Sequence, residues 1–235
     1  DTSGVGTYQR RDTGHVDAAM RPKQHEYDRY VAILQFGRAC GWDHRKIADD
    51  GPFRMVDVGM SMELLRANRD LLAMAKAIGD TVVIAELEAR IALSEKGMDW
   101  LWNEDAGAYC SRDATTDQSS GLVTNASFLA FYAGVGNNTQ RARLIAALER
   151  ITGSATYLVP SLEAGSRAYD HKRYWRGPIW LVVSATMSAV FSARTAAVPR
   201  ATRSSKPSKR GWVLNTPRVS APRLDTVFAV WWCVD

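Results

Sequence analysis

The chain has few of the residues that build metal sites or staple small folds. Its 235 residues contain three cysteines, Cys40, Cys110 and Cys233, an odd number set far apart with no Cys-x-x-Cys pair. A disulfide framework and a cysteine zinc site are thereby excluded, and a reducing compartment is the simplest reading. The four histidines, His15, His25, His44 and His171, are equally scattered, so each reads as a surface or satisfied core side chain rather than a ligand. There is no glycine-rich phosphate loop, nucleophile elbow or metal-ligand spacing, and no cofactor or metal is expected. No run approaches the roughly 18 apolar residues that a membrane span requires. Residues 1–20 also have no apolar core of the kind a signal peptide needs. No membrane association and a cytoplasmic location are expected. Because the chain opens on Asp1 rather than Met, a preceding segment is expected.

Acidic residues are missing from one region in particular. Between residues 194 and 235 there are eight Lys/Arg but only two acids, Asp225 and Asp235, whereas residues 1–193 carry 22 Lys/Arg against 23 Asp/Glu. The formal charge of +5 therefore belongs to the tail. That tail holds four prolines and many Ser, Thr and Arg without a sustained period, and it is expected to be disordered. Its cations would give salt-dependent, non-specific binding to nucleic acid, and no specific nucleic-acid partner is expected. Residues 1–193 form the expected domain. With 46% hydrophobic and 23% charged residues in the whole chain, there is enough apolar material for a core.

The periodicity is helical. Tyr27, Tyr30, Val31, Leu34 and Arg38 recur at helical spacing between Pro22 and Gly41. A second helix is predicted from Asp57–Ser61 through MELLRANRDLLAMAKAIG, ended by Gly79, and Asp80 caps a third over about 81–102. Val83, Leu87, Ile91 and Met98 fall on one face of this third helix. WNEDAGAYCSRD reads as a turn or small hairpin. Two further helices are predicted at about 125–134, with Asn125 or Ser127 as cap, and 139–152. A long loop over 153–177 leads to a last helix beginning at Pro178. Helices paired antiparallel through short turns, with no convincing sheet, give an all-α fold.

YWRGPIW, residues 174–180, is the segment richest in chemistry. Indole and phenol faces stack on the C–H face of a sugar ring while a guanidinium donates to hydroxyls. A packed loop anchored by aromatics explains the same residues about equally well.

Taken in order, the helix at EYDRY, VDVGMSMELLRANRDL, WNEDAGAYCSRD and YWRGPIW after its PSL loop resemble glycoside hydrolase family 63. Its bacterial members similar to mannosylglycerate and glucosylglycerate hydrolases are matched best, over about residues 1–191. The resemblance implies an (α/α)6 toroid, of which residues 1–193 would be roughly the C-terminal half, made of antiparallel helix hairpins. It also implies inversion at a small α-linked glycoside. Arg21 and Tyr27 match positions that hold the glycerate carboxylate, and Tyr174, Trp175 and Trp180 match the aromatic wall around the sugar.

Inversion needs a carboxylic acid on the leaving oxygen and a carboxylate on water, roughly 6.5–9.5 Å apart. The resemblance puts the acid in a DNSP-type motif before Asp1. It puts the base in a Glu-Tyr segment about 40 residues beyond YWRGPIW, where VLNTPRVS stands instead. Asp28, Asp57, Glu163 and Asp170 sit near the motifs but read as helix or loop decoration. No catalytic residue is therefore assigned, and the chain is expected to be an inactive part of a hydrolase. A noncatalytic sugar- or glycerate-binding module and another (α/α)6 glycosidase, trehalase- or glucosidase-like, are the alternatives. The open edges of a part ring are expected to favour self-association.

Overall fold

The computed structural model describes residues 1–155, 158–181 and 183–184. An extended segment and a 3-10 turn, Ala18–Met20, lead into α1, Gln24–Ala39. Glu26 closes the first turn of α1 by accepting from the Lys23 N–H at 2.5 Å. This answers an orphan donor and puts negative charge at the positive end of the helix. A short α2, His44–Asp50, is not predicted above; seven residues are too few to show a period. Asp43 starts it by accepting from the Arg45 and Lys46 amides at 2.9 and 3.0 Å.

The centre of the fold is an antiparallel pair, α3, Val58–Ile78, and α4, Thr81–Leu101. Both are rich in Leu, Met, Ala, Glu and Arg, which lose little side-chain freedom in a helix. Asp57 caps α3 by accepting from Met60 N at 2.8 Å, and Asp80 caps α4 through Val83 N at 3.1 Å. Between them Gly79 has φ 75°, a left-handed residue at which any other side chain would be strained. Val58, Met62, Leu65 and Ala75 of α3 face Leu87, Ile91, Met98 and Leu101 of α4 and the helices beyond. Val83, predicted on that buried face, is exposed, lining a surface groove with Ala75, Ile78 and Leu87.

Two short antiparallel ribbons follow, of which the first is not predicted by the sequence. β1, Met55–Val56, pairs with β4, Arg112–Asp113. β2, Trp102–Asn103, pairs with β3, Ala108–Tyr109, and this second ribbon is the hairpin predicted within WNEDAGAYCSRD. A 3-10 turn, Asn125–Phe128, runs into α5, Leu129–Ala133, which ends at Gly134 with φ 75°. Its start is fixed by Ser127, whose hydroxyl accepts from Thr124 N at 3.1 Å; Asn125 does not cap it. Helix α6, Asn138–Gly153, is capped by Asn137. Tyr109, Phe128, Met62, Leu65, Leu101, Leu144 and Ile151 are fully buried and make one core that joins α3, α4, β3, α5 and α6. The last helix, predicted from Pro178, starts later: Ile179 is taken by a bridge to Pro160 and the chain is helical at Leu181, Val183 and Ser184, while its continuation lies outside the described residues, as does the basic tail.

Burial is one-sided on α3. Met60, Leu64, Leu71, Met74 and Ile78 are all more than half exposed on its outer face, and with exposed Ala67 in the gap they recur every third or fourth residue. No described helix that is long enough is also apolar enough to cross a membrane.

Candidate functional site

The loop after α6 is clamped at both ends of YWRGPIW. Thr124 bridges to Leu162 and Pro160 to Ile179 in antiparallel fashion. The Ser161 amide donates to Pro178 O at 3.0 Å, and the buried Ser161 hydroxyl accepts from Gly177 N at 2.9 Å. The loop then doubles back on itself. Asp170 N donates to Arg176 O at 2.8 Å, and Arg176 Nε donates to Ala168 O at 2.7 Å. Gly177 is needed at the crossing, since a Cβ there would lie 2.7 Å from Asp170 O and 2.8 Å from His171 Cα. Between these ties Tyr174 and Trp175 are pushed out of the loop.

There they meet Trp180. Trp175 and Trp180 are stacked with centroids 4.6 Å apart, and Tyr174 stands edge-on to Trp180 at 4.4 Å and to Trp175 at 5.6 Å. Trp180 Nε1 donates to Tyr174 O at 3.0 Å, which fixes the indole orientation. Tyr174 remains 36% exposed, so the wall keeps an open aromatic face.

Arg21, more than 150 residues earlier, reaches the same wall. Its guanidinium carbon lies 5.4 Å from the Tyr174 ring centroid. Its backbone carbonyl accepts from Arg173 Nη1 at 2.6 Å, so the residue before YWRGPIW ties this loop to the entrance of α1. Its Nε donates to Asp12 Oδ2 at 3.2 Å. The same carboxylate takes both forks of Arg10, at 3.0 and 2.6 Å, and Arg10 lies 4.4 Å over the ring of Tyr27. Tyr27 in turn is stacked on Tyr8 at 5.9 Å. Arg21, Tyr174, Trp175 and Trp180 thus share one cluster, and Tyr27 joins it through Arg10 and Asp12. Sequence reasoning missed Asp12, Arg10 and Arg173. The only local signal was the RRD run after Tyr8, and nothing in it gives the distant partners.

The carboxylates around the cluster are all committed to partners. The Arg10 fork, then Arg21, hold Asp12 down to about 2. Tyr8 and Gln24 donate to Asp28 and lower it, with Tyr8 Oη at 2.6 Å. Asp170 is lowered by the Lys172 amide and by Arg173 and Arg176. Glu26 is lowered because the Lys23 amide and Arg173 outweigh its burial. Asp57 is engaged as the α3 cap and Glu163 is paired with Arg150. Glu63 is raised by desolvation and by Asp57, but it lines a different groove with Leu71, Met74 and Tyr132. Cys110 is a free, buried thiol pushed up to about 11 by burial, far from the state that could act as a nucleophile. Among the described residues no group of three His, Cys, Asp or Glu side chains could hold a metal ion.

Comparison with known proteins gives this geometry a family. Residues 2–205 match the model of the mannosylglycerate hydrolase MGH1-like glycoside hydrolase domain. Mannosylglycerate hydrolase from Thermus thermophilus is 38% identical over 75% of this chain. Mannosylglycerate hydrolase MGH1 from Selaginella moellendorffii is 37% identical over 77%. The chain spans 42% and 37% of the lengths of these two relatives. A GH63 mannosylglycerate hydrolase of Thermus thermophilus, solved in complex with Tris, superposes with a TM-score of 0.78 at 35% identity, over 84% of this chain and 47% of that one. The same enzyme has been solved with Tris and D-glycerate and with glucose. The helix hairpins described above are therefore part of an (α/α)6 toroid, and the chain belongs to the mannosylglycerate hydrolase MGH1-like glycoside hydrolase family.

Proposed function

We propose that residues 1–193 carry the substrate-binding wall of an inverting α-glycoside hydrolase for glycerate glycosides such as mannosylglycerate or glucosylglycerate, and that this chain binds without cleaving. The observation that carries the reading is the meeting of Arg21 with Tyr174, Trp175 and Trp180. A guanidinium beside an aromatic wall suits a ligand with a carboxylate at one end and a sugar ring at the other. The names of the relatives favour a glycerate glycoside over a trehalase-like substrate.

Charge supports the reading that the chain does not cleave. A general acid must hold its proton near neutral pH, which takes a raised pKa. Every described carboxylate that touches this cluster is instead lowered by arginines, amides or hydroxyls. The acid and base are assigned to parts of the family's domain that this chain does not contain. The exposed apolar face of α3 belongs to the same reading, as a ring edge that favours self-association.

Calorimetric titration with 2-O-α-mannosylglycerate tests the binding, with millimolar or tighter affinity expected. Trp175→Ala should weaken it about tenfold, the scale of one aromatic contact of about 1.4 kcal/mol. No heat from the wild-type chain would remove the reading. Release of free mannose would show instead that a working acid and base are present.

A further inference from the structure

We propose that Asp12 is the positioning residue for the carboxylate subsite, holding the guanidinium groups of Arg10 and Arg21 in fixed orientations against Tyr27 and Tyr174. The inference deepens the reading above and rests on it, since it takes Arg21 as the group that meets the ligand carboxylate.

Free arginine side chains carry much rotamer freedom, and an arginine that must first be ordered loses affinity for its ligand. Here both ends of Arg21 are fixed. Arg173 Nη1 donates to its carbonyl at 2.6 Å, and its Nε donates to Asp12 Oδ2 at 3.2 Å. Arg21 meets Asp12 through Nε, and its guanidinium carbon lies 5.4 Å from the Tyr174 ring centroid. Arg10 closes the arrangement from the other side with a two-pronged grip on Asp12 while lying over Tyr27.

Charge makes the arrangement selective. At Asp12 itself two guanidinium groups share one carboxylate, while Asp28 beside Tyr8 and Glu26 and Asp170 beside Arg173 stand further out. The side chain of Asp12 is only 11% exposed, against 23% for Arg21, so the charge balance is set beneath the surface and presented at it. An anion is drawn to this point and an uncharged polyol is not.

The test compares two probes on the full chain: 2-O-α-mannosylglycerate and its uncharged counterpart bearing glycerol in place of glycerate. Asp12→Asn keeps the shape and loses the charge that aligns both arginines. It should weaken the charged probe at least tenfold and leave the uncharged one within about twofold. Asp12→Glu, which keeps the carboxylate one methylene further out, should fall between the two. A general loss of structure would weaken both probes equally, and that result overturns the proposal. So does equal or tighter binding of the charged probe by Asp12→Asn, which would make Asp12 a competitor of the ligand. Arg21→Ala separates the two levels: if it leaves the charged probe unaffected, the binding reading fails, and if it weakens that probe while Asp12→Asn does not, only the present proposal fails.

Discussion

Asp12 and Gly177 hold opposite sides of the aromatic wall, one by charge and one by having no side chain. At Gly177 a methyl group meets the Asp170–His171 backbone, which cannot rotate away as a side chain could. Gly177→Ala should therefore shift the 170–177 turn, costing about 1–3 kcal/mol in denaturant unfolding, and should lower ligand affinity through displaced Tyr174 and Trp175. An unchanged unfolding midpoint would mean that the turn has slack the geometry does not show. At Asp12 the consequence is a pH dependence. Its pKa is depressed in the folded chain to about 2, so its contribution to stability is complete above the ordinary carboxylate value. That contribution is lost as pH falls through about 2. Solvent screening limits it to on the order of 1–2 kcal/mol. Wild type and Asp12→Asn should thus differ in urea midpoint at pH 5 and converge as pH is lowered from 4 to 2. A difference that persists at pH 2 would show that the ion pairs are not its source.

At the scale of elements, legibility followed the range of the interactions. The α3–α4 pair could be read directly because every instruction is local: Asp57 and Asp80 as caps, Gly79 between, and a helical period in both arms. These caps should each be worth about 1 kcal/mol, so Asp57→Ala and Asp80→Ala are expected to lower stability by that amount. Leu65→Ala, which empties a fully buried site between helices, should cost about 2–5 kcal/mol. Thermal melts of the three variants check the ranking, and a cap variant costing as much as Leu65→Ala would contradict it. Helix α2 was invisible because one capping aspartate and two turns carry no period. The β1–β4 ribbon was invisible because two-residue strands have no alternation and these two lie more than 50 residues apart, whereas the β2–β3 hairpin was announced by the turn residues of WNEDAGAYCSRD. The site was half legible for the same reason. YWRGPIW announced its aromatics in one stretch, but Arg176 turned out to tie the loop to Ala168 O. The guanidinium at the wall comes from Arg21, and its partner Asp12 gave no sign of its role.

For the molecule as a whole, the decisive feature is that α3 has a core face and, between its charged side chains, an exposed apolar stripe. Leu71 and Met74 form a ridge between two shallow grooves, one bounded by Glu63 and Tyr132 and the other by Ile78, Val83 and Leu87. Scattered exposed leucines need no explanation, but five apolar residues in a stripe along one helix form a contiguous surface. Such a stripe fits the ring edge proposed above, and the chain spans less than half of the ring-forming relative. Self-association is the simplest way for this chain to cover it, and sedimentation equilibrium at micromolar concentration should find species larger than a monomer. Leu71→Glu with Met74→Glu should shift the population to monomer. Both side chains point outward, so the helical circular dichroism and the α3–α4 core should be retained. Glycerate-glycoside binding should be retained as well, because the stripe shares no residue with the Arg21 and Trp175 cluster. A wild-type chain already monomeric at that concentration would end the self-association proposal, and the aromatic wall would stand apart from that result.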